Sequence, residues 1–549
     1  MTTTISHLLC QGLLDQGVDA LYCLPGVQND DFFNVLVDHP DLKPFVARHE
    51  QATSYMATGA ALASGRPQAY CTVPGQGVLN AAAGHSTAFA TSARVMAILG
   101  QNKREFIGTM HGQLHELPDQ MAVVAQISKN ATALRDEAEA PEQIAAAMHA
   151  LVSGHPAPVT VECPLDMWKL PAEAAKVPIP HYADVDTDAI DRAAELLVNA
   201  KNPVICLGGG AHDASQDIVT LTELLKCPVN ALRQGKGAYD ERLPYYCSSP
   251  VLWEFWKTAD VALGIGTRFM WHEMVWGVDD DLKLIQINAD PGEINRRGNV
   301  DVPICALAEH ALPLLIDAVA RRLGKVEDKA EAIAEGNAKF TAAISDLQPT
   351  ISHLGVIRHV LGEDGIFVDD LTQVAYTARY ALPVYQPRGY VCAGYAGTLG
   401  WGMPAGLGAK VAMEERRVLT VQGDGGFMYG AAELATAVKY KIPLVTLVYN
   451  DSAYGNVRRI QQDRFGHNRT IASDLTNPDI VKFTESFGAM GLRADPSPEG
   501  LRKALEEAFE SGGPAVVEVP CDETYPSPWG HIFRPTVRGE PQKPLLQAD

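Results

Sequence analysis

Residues 417–456, RVLTVQGDGGFMYGAAELATAVKYKIPLVTLVYNDSAYGN, leave this chain little freedom in how it folds. Val418 to Val421 is a short apolar run with charge before it and glycine after it, the pattern of a parallel strand buried on both faces. Gly423-Asp424-Gly425-Gly426 follows, a carboxylate in a turn whose glycines let the backbone approach a ligand. Ala431 to Tyr440 is rich in strong helix formers. Pro443 ends that helix, and Leu444 to Tyr449 is a second apolar strand with Asn450-Asp451 at its tip. The unit is β-α-β, and both polar tips lie where ligands of open α/β sheets bind. Glycine-freed amides hold phosphate. One or two carboxylates hold Mg2+, which keeps its other sites for phosphate and water. The residues therefore predict a Mg2+–diphosphate site. A structural turn with a solvated Asp is the plainer alternative, and the second acid and amide pair at the next strand tip weighs against it.

At 549 residues the chain has room for about three or four domains. Its 46% apolar and 20% charged content is that of a globular protein. A formal charge of −21 argues against nucleic acid or an anionic membrane as partner, and leaves the capture of an anionic substrate to local groups. The ten cysteines form no CxxC pair and no cluster at zinc spacing. Cys71, Cys206 and Cys392 stand in apolar runs and read as buried thiols in a reducing compartment. No signal peptide opens the chain and no uncharged apolar run is long enough to span a membrane, so the expected location is the cytoplasm.

Strand and helix signals alternate elsewhere too. Up to about residue 171, Ile5 to Gln16 reads as a helix, and Ala20 to Cys23, Pro44 to Ala47, Tyr70 to Val73, Val95 to Leu99 and Val159 to Val161 read as strands. Residues 172–184 read as a linker. A second α/β domain spans 185–325, with strands at Pro203 to Leu207, Val261 to Ile265 and Leu284 to Ile287. Residues 325–350 are a charged helical connection, 351–535 a third α/β domain, and 536–549 a tail, loose or acting as a lid. The predicted fold class is α/β, with three doubly wound parallel-sheet domains. Domains one and three share a pattern of strand, turn and polar tip, a sign of a duplicated fold.

Glu50 stands at a strand tip before a helix, where an acid also offsets the helix dipole. Its surroundings, RHEQATSYMATGAALASG, are similar to the RHE…A…GYARASG motif of thiamine-diphosphate enzymes of the acetolactate synthase and benzoylformate decarboxylase branch. There the Glu holds a ring nitrogen of the cofactor's aminopyrimidine. A protonated Glu in an apolar pocket shifts a proton onto that ring, and desolvation raises its pKa enough for it to donate. The ring then serves as the base for the thiazolium C2–H, and the cofactor supplies the electron sink.

The resemblance covers nearly the whole chain. LPGVQND at 24–30 is similar to the family's Pro-Gly turn near the substrate, which implicates Gly26 and sets Gln28 within reach of a substrate carboxylate. PGQGVLN at 74–80 resembles SGPGATN, with Gly75, Gly77 and Asn80 matching. LGQ at 99–101 and IGT…Q at 107–113 match as well, placing Gln113 where that branch has an active-site Gln. The segment MHGQLHELPDQ, 110–120, is longer than usual. Its His111 or His115 protonates an intermediate or binds a substrate oxygen, unless these are surface polars. DDLTQ corresponds to the diphosphate-contacting VGQ, implicating Thr372 and Gln373. GTLGWGMPAGLGAK is similar to GTMGFGLPAAIGAK, which brings Gly397 and Thr398 to the cofactor and Leu399 onto the wedge that bends it. Gly423, Asp424, Gly425 and Gly426 match the diphosphate motif, whose closing Asn-Asn is here Asn450-Asp451. The family register makes Asp424 and Asp451 the side-chain metal ligands and Ala453 the carbonyl ligand, with Tyr454 and Gly455 beside the cofactor. A one-residue slip makes Asn450 the ligand instead.

The resemblance implies thiamine diphosphate and Mg2+ as cofactors and a 2-oxoacid or related acyl substrate. It implies a C–C bond cleaved or formed next to a carbonyl, and a homodimer or homotetramer with shared active sites. A 2-hydroxyacyl-CoA lyase or oxalyl-CoA decarboxylase type is the alternative among enzymes. A catalytically silent scaffold is the alternative outside them, and Glu50 counts against it. Glycine clusters at 208–210 and 264–268 mark the central domain, where relatives bind FAD, an adenine nucleotide or nothing.

Overall fold

The computed structural model describes residues 3–182, 184–522 and 525–539. Among the described residues, seventeen strands form three sheets. The N-terminal sheet holds β1 (Ala20–Cys23), β2 (Lys43–Val46), β3 (Gln68–Thr72), β4 (Val95–Gln101), β5 (Asn130–Ala133) and β6 (Val159–Pro164), in the order β2-β1-β3-β4-β6-β5. The central sheet holds β7 (Pro203–Leu207), β8 (Val229–Ala231), β9 (Val261–Ile265), β10 (Lys283–Asn288) and β11 (Val302–Cys305), in the order β11-β10-β9-β7-β8. The C-terminal sheet holds β12 (Ile366–Asp369), β13 (Tyr390–Cys392), β14 (Val418–Gly423), β15 (Val445–Asn450), β16 (Met490–Arg493) and β17 (Ala515–Pro520), in the order β13-β12-β14-β15-β17-β16.

Counted within each sheet, all three orders begin 2-1-3-4, and the N- and C-terminal sheets agree to the last strand. In such a sheet the chain reverses its winding between strands 1 and 3, and the crevice at their carboxyl ends is the binding place. In the C-terminal sheet that crevice lies between β12 and β14, so Asp370 and Asp424 stand at its rim. In the N-terminal sheet it lies between β1 and β3, whose tips lead into Gly26 and Gly75.

The chain divides into two compact units. One contains the N- and C-terminal sheets and shares a core built from Tyr22, Tyr55, Met56, Trp401, Leu407 and Phe427. The far face of the N-terminal sheet is covered separately by Leu9, Leu13, Ile98 and Trp168. Within this unit the helices Glu50–Ser64 and Gly402–Ala412 meet backbone to backbone. A Cβ at Gly59 would come within 2.1 Å of the Ala405 carbonyl oxygen, and one at Gly408 within 1.9 Å of that of Met56. Glycine stands at these two contact points because a larger residue would force the helices apart. The other unit is built on the central sheet and its own core.

Two details differ from the sequence reading. The strand β14 runs straight to Gly423 and a helix, Asp424–Gly430, begins at once, so Asp424 opens a helix and does not sit in a separate turn. Of the expected tail, residues 536–539 are held in place. The amides of Val537 and Arg538 donate to the Trp276 carbonyl at 2.9 and 3.1 Å, and Arg538 pairs with Asp279 at 2.6 Å. Residues 540–549 lie outside the described residues. Among the described residues no helix is long and apolar enough to cross a membrane.

Candidate active site

β14 and β15 are parallel neighbours, with Gly423 opposite Tyr449. Asp424 follows the first and Asp451 the second, so the two carboxylates emerge at adjacent tips. Asp424 is buried, and desolvation pushes its pKa above the usual carboxylate range against the donors that face it. Asp451 is pushed up to about 6, by desolvation first and by the charge of Asp424 second, while Arg458 and the Ala453 amide oppose the shift. Arg458 stands 3.6 Å from Asp451, and the Ala453 amide donates to it at 3.2 Å. Asn450 is engaged by other protein groups. Its amide donates to Glu518 at 2.7 Å and its oxygen accepts from the Ser452 amide at 3.1 Å. Ser452 has a φ of +52°, the left-handed bend that aims Ala453 back toward Asp451. At Gly455 a Cβ would lie 2.3 Å from a carboxylate oxygen of Asp451, so only glycine leaves that carboxylate room.

One participant gave no sequence signal. Asn477 donates from one amide to Asp424 at 2.5 Å and to Asn450 at 3.0 Å. It lies in a loop, at no fixed spacing from either partner, and only the Asn-Pro turn marks it. Tyr454 hydrogen-bonds Tyr429 and lies so close to Gly425 that a Cβ there would meet its ring at 2.7 Å.

The loop from Gly397 to Trp401 leans on the same rim. Trp401 donates to the Asp369 carbonyl at 2.6 Å. The buried carboxylate of Asp370 accepts from the Leu371 amide at 2.7 Å, the Gly402 amide at 3.1 Å and the Gln422 side chain at 2.8 Å. Burial pushes Asp370 up to about 6, and those three donors restrain the rise. Gly397 and Gly400 have φ of +55° and +77°, and between them Thr398 and the half-buried Leu399 are presented at the loop tip. Thr398 is 2.7 Å from the Tyr55 hydroxyl, which ties this loop to the helix that begins with Glu50. Thr372 ends the β12 tip. Gln373 opens the next helix, Gln373–Ala381, and falls in the other compact unit.

At the N-terminal sheet, Glu50 is the first residue of its helix, and Asn80 donates to its carboxylate at 3.0 Å. Gly26, Gln28, Gly75 and His115 form a second group. A Cβ at Gly26 would strike Val73 at 2.3 Å, and one at Gly75, whose φ is +57°, would strike the His115 carbonyl at 2.2 Å. Gln28 is buried, and its amide nitrogen donates to the Leu114 carbonyl at 3.1 Å. Its oxygen and Nδ1 of His115 are buried without hydrogen-bond partners among the described residues. The oxygen of Gln28 is thus left as an acceptor, and its NH2 keeps a second hydrogen to donate. His111 is exposed and is not brought to this group. Gln113 is half-buried, and its amide donates to Glu116 at 2.9 Å. Glu116 gathers the loop by also accepting from the amides of Met110 at 2.7 Å and Gly112 at 2.8 Å. Its acid chemistry is spent on holding Leu114 and His115 in place.

Comparison with known proteins fits this geometry. Residues 3–123 match the N-terminal TPP binding domain of thiamine pyrophosphate enzymes, 190–315 their central domain and 370–519 their C-terminal TPP binding domain. The chain is 31% identical over 537 residues to a probable 2-ketoarginine decarboxylase of Pseudomonas aeruginosa, covering 94% of each chain. It is 30% identical over 550 residues to a probable acetolactate synthase large subunit of Methanocaldococcus jannaschii, covering 94% of this chain and 92% of that one. To the acetolactate synthase large subunit of Haemophilus influenzae it is 27% identical, covering 97% and 96%.

Proposed function

The chain belongs to the thiamine pyrophosphate enzyme family, and on that premise we propose that it is a Mg2+-dependent decarboxylase or carboligase acting on a 2-oxoacid. The observation that carries this reading is the meeting of Asp424 and Asp451 at neighbouring strand tips. Two desolvated carboxylates side by side are unfavourable alone, and a hard divalent cation relieves them. Asp424, Asp451 and the Ala453 carbonyl would hold Mg2+, with the backbone of Gly423, Gly425 and Gly426 toward the diphosphate.

When bound, thiamine diphosphate supplies a carbon nucleophile and an electron sink. The chain's own residues bind, orient and handle protons around it. Glu50, fixed by Asn80, holds a proton toward the pyrimidine ring and takes it back. Leu399, presented on its glycine-framed loop, would pack against the cofactor. His115, with Nδ1 free, hydrogen-bonds a substrate oxygen, and Gln28 accepts from a substrate hydroxyl. We further propose that the protein works as a homodimer or homotetramer. The helix Gly455–Phe465 buries none of its residues, and Val457, Ile460 and Phe465 are exposed on it, a surface suited to a second copy.

The test is a panel of 2-oxoacids, from pyruvate to 2-ketoarginine, assayed for CO2, aldehyde and acyloin with thiamine diphosphate and Mg2+. At least one substrate is expected to turn over, and Asp424→Ala is expected to abolish both turnover and Mg2+-dependent cofactor binding. Turnover that survives both Mg2+ removal and Asp424→Ala overturns the metal assignment. No product from any substrate overturns the enzyme reading. Light scattering showing a monomer overturns the oligomer.

A further inference from the structure

We propose that Glu433 is a positioning residue for Glu50, an inference that rests on the role given to Glu50 above. β2 is an edge strand of its sheet, and an edge exposes unpaired amides and carbonyls. Here one helical face covers them. The Tyr440 hydroxyl accepts from the Val46 amide at 2.9 Å. The Glu433 carboxylate accepts from the Arg48 amide at 3.0 and 3.1 Å and from the His49 amide at 3.1 Å. Residues 433, 436 and 440 are spaced by about one turn each, so they line one side of the helical run 431–440. The rings of Phe45 and Tyr440 pack together at 4.9 Å between centroids.

The segment held this way runs straight into the catalytic acid. His49 is the N-cap of the helix Glu50–Ser64 and Glu50 is its first residue. The direction in which Glu50 leaves the backbone is therefore set by the two amides before it, and both are pinned by Glu433. Glu433 is only 1% exposed. Burial raises its pKa, and the Thr436 hydroxyl and the two amides oppose the rise. A carboxylate that deep is costly unless every oxygen is used. These are: Thr436 donates at 2.5 Å, and the two amides supply the rest. Packing alone would be served by an apolar side chain. Taking two successive amides and a hydroxyl together needs two acceptor oxygens, which Glu has and Gln lacks. The same helical stretch starts at Asp424, so the metal-side carboxylate and the pin on Glu50 belong to one continuous run.

Glu433→Gln and Glu433→Ala are compared with wild type and Glu50→Gln. In cofactor-free protein, amide hydrogen exchange at residues 48 and 49 is expected to rise about tenfold in Glu433→Gln and more in Glu433→Ala, the loss of one charged hydrogen bond. Exchange in β4 is expected to stay as in wild type. Affinity for thiamine diphosphate with Mg2+, followed by intrinsic fluorescence, is expected to fall about tenfold or more in Glu433→Gln by the same arithmetic. The acidic limb of its pH–rate profile is expected to move, which a merely structural loss would not do. If Glu433→Ala does not fold, Glu433→Gln decides, because it keeps the volume. Unchanged exchange at 48 and 49, or unchanged cofactor affinity and pH profile, overturns the proposal. Near-normal turnover in Glu50→Gln removes its premise instead. An inactive Glu50→Gln beside a normal Glu433→Gln leaves the premise and removes Glu433.

Discussion

Asn450 and Asp451 are neighbours with different tasks, and their partners explain why. Asn450 spends its amide on Glu518, and Asp451 feels the charge of Asp424. Asp451→Ala is therefore expected to weaken Mg2+-dependent cofactor binding far more than Asn450→Ala. Asn450→Ala is expected to cost about 1–3 kcal/mol of stability from its lost hydrogen bonds with Glu518, Ser452 and Asn477. Titrating cofactor into the two metal-free variants checks this, and the reverse order would make Asn450 the ligand. Glu50→Gln keeps shape and loses the acid, so turnover is expected to fall by about 10²–10⁴ with the fold intact by circular dichroism. Asp424, Asp451, Glu50 and the glycines were legible in the sequence because each stands in a motif with a fixed spacing. Asn477, Glu433 and Asp370 were not. Their partners are brought to them by tertiary folding, and nothing in local sequence marks a side chain that satisfies a distant backbone. Gln28 was found from its motif, but the hydrogen bond that holds it to the Leu114 carbonyl joins residues far apart in the chain and was not legible.

At the scale of elements, many strands buried on both faces, β14 and β15 among them, declared themselves as apolar runs. β5, β8, β11, β12, β13, β16 and β17 did not: the first six are 3 or 4 residues long, where a period barely registers, and the six-residue β17 is interrupted by Glu518. The loop that presents Leu399 is held to its sheet largely by Asp370, and this gives it a pH dependence. Asp370 titrates at about 6 in the folded protein and at about 4 in an unfolded chain. Below about 4 both states are protonated, and the contribution is fully present. Between the two values the folded state keeps a proton that the unfolded chain has released, so stability falls as pH rises, and above 6 the loss is complete. Asp451 has the same sign, so the test is a difference. The melting temperature of cofactor-free Asp370→Asn is expected to change less between pH 4 and 6 than that of wild type. An equal slope in both proteins would show that Asp370 does not titrate there.

At the scale of the whole molecule, one winding is used three times, and a binding crevice comes with each use. The C-terminal domain has Asp370 and Asp424 at the rim of its crevice, and the N-terminal domain has Gly26 and Gly75, which closely approach other groups. The central sheet has its crevice between β7 and β9, where the sequence reading allowed FAD or an adenine nucleotide. There the glycines are spent on each other. A Cβ at Gly208 would lie 2.3 Å from the Gly266 carbonyl oxygen, and one at Gly266, whose φ is +58°, would lie 2.3 Å from the Gly210 carbonyl carbon. The basic groups nearby are already paired, Arg268 with Glu293 at 3.4 Å and Arg297 with Glu273 at 3.0 Å. A dinucleotide's diphosphate needs free amides and an uncompensated positive charge, and it would have to part the loops and displace those carboxylates. The purified protein is therefore expected to be colourless and to stay so after incubation with FAD and desalting, with no flavin absorbance and no rise in melting temperature. A yellow protein, or a melting temperature that climbs with FAD concentration as linkage requires, would show that the two glycine loops open to admit it.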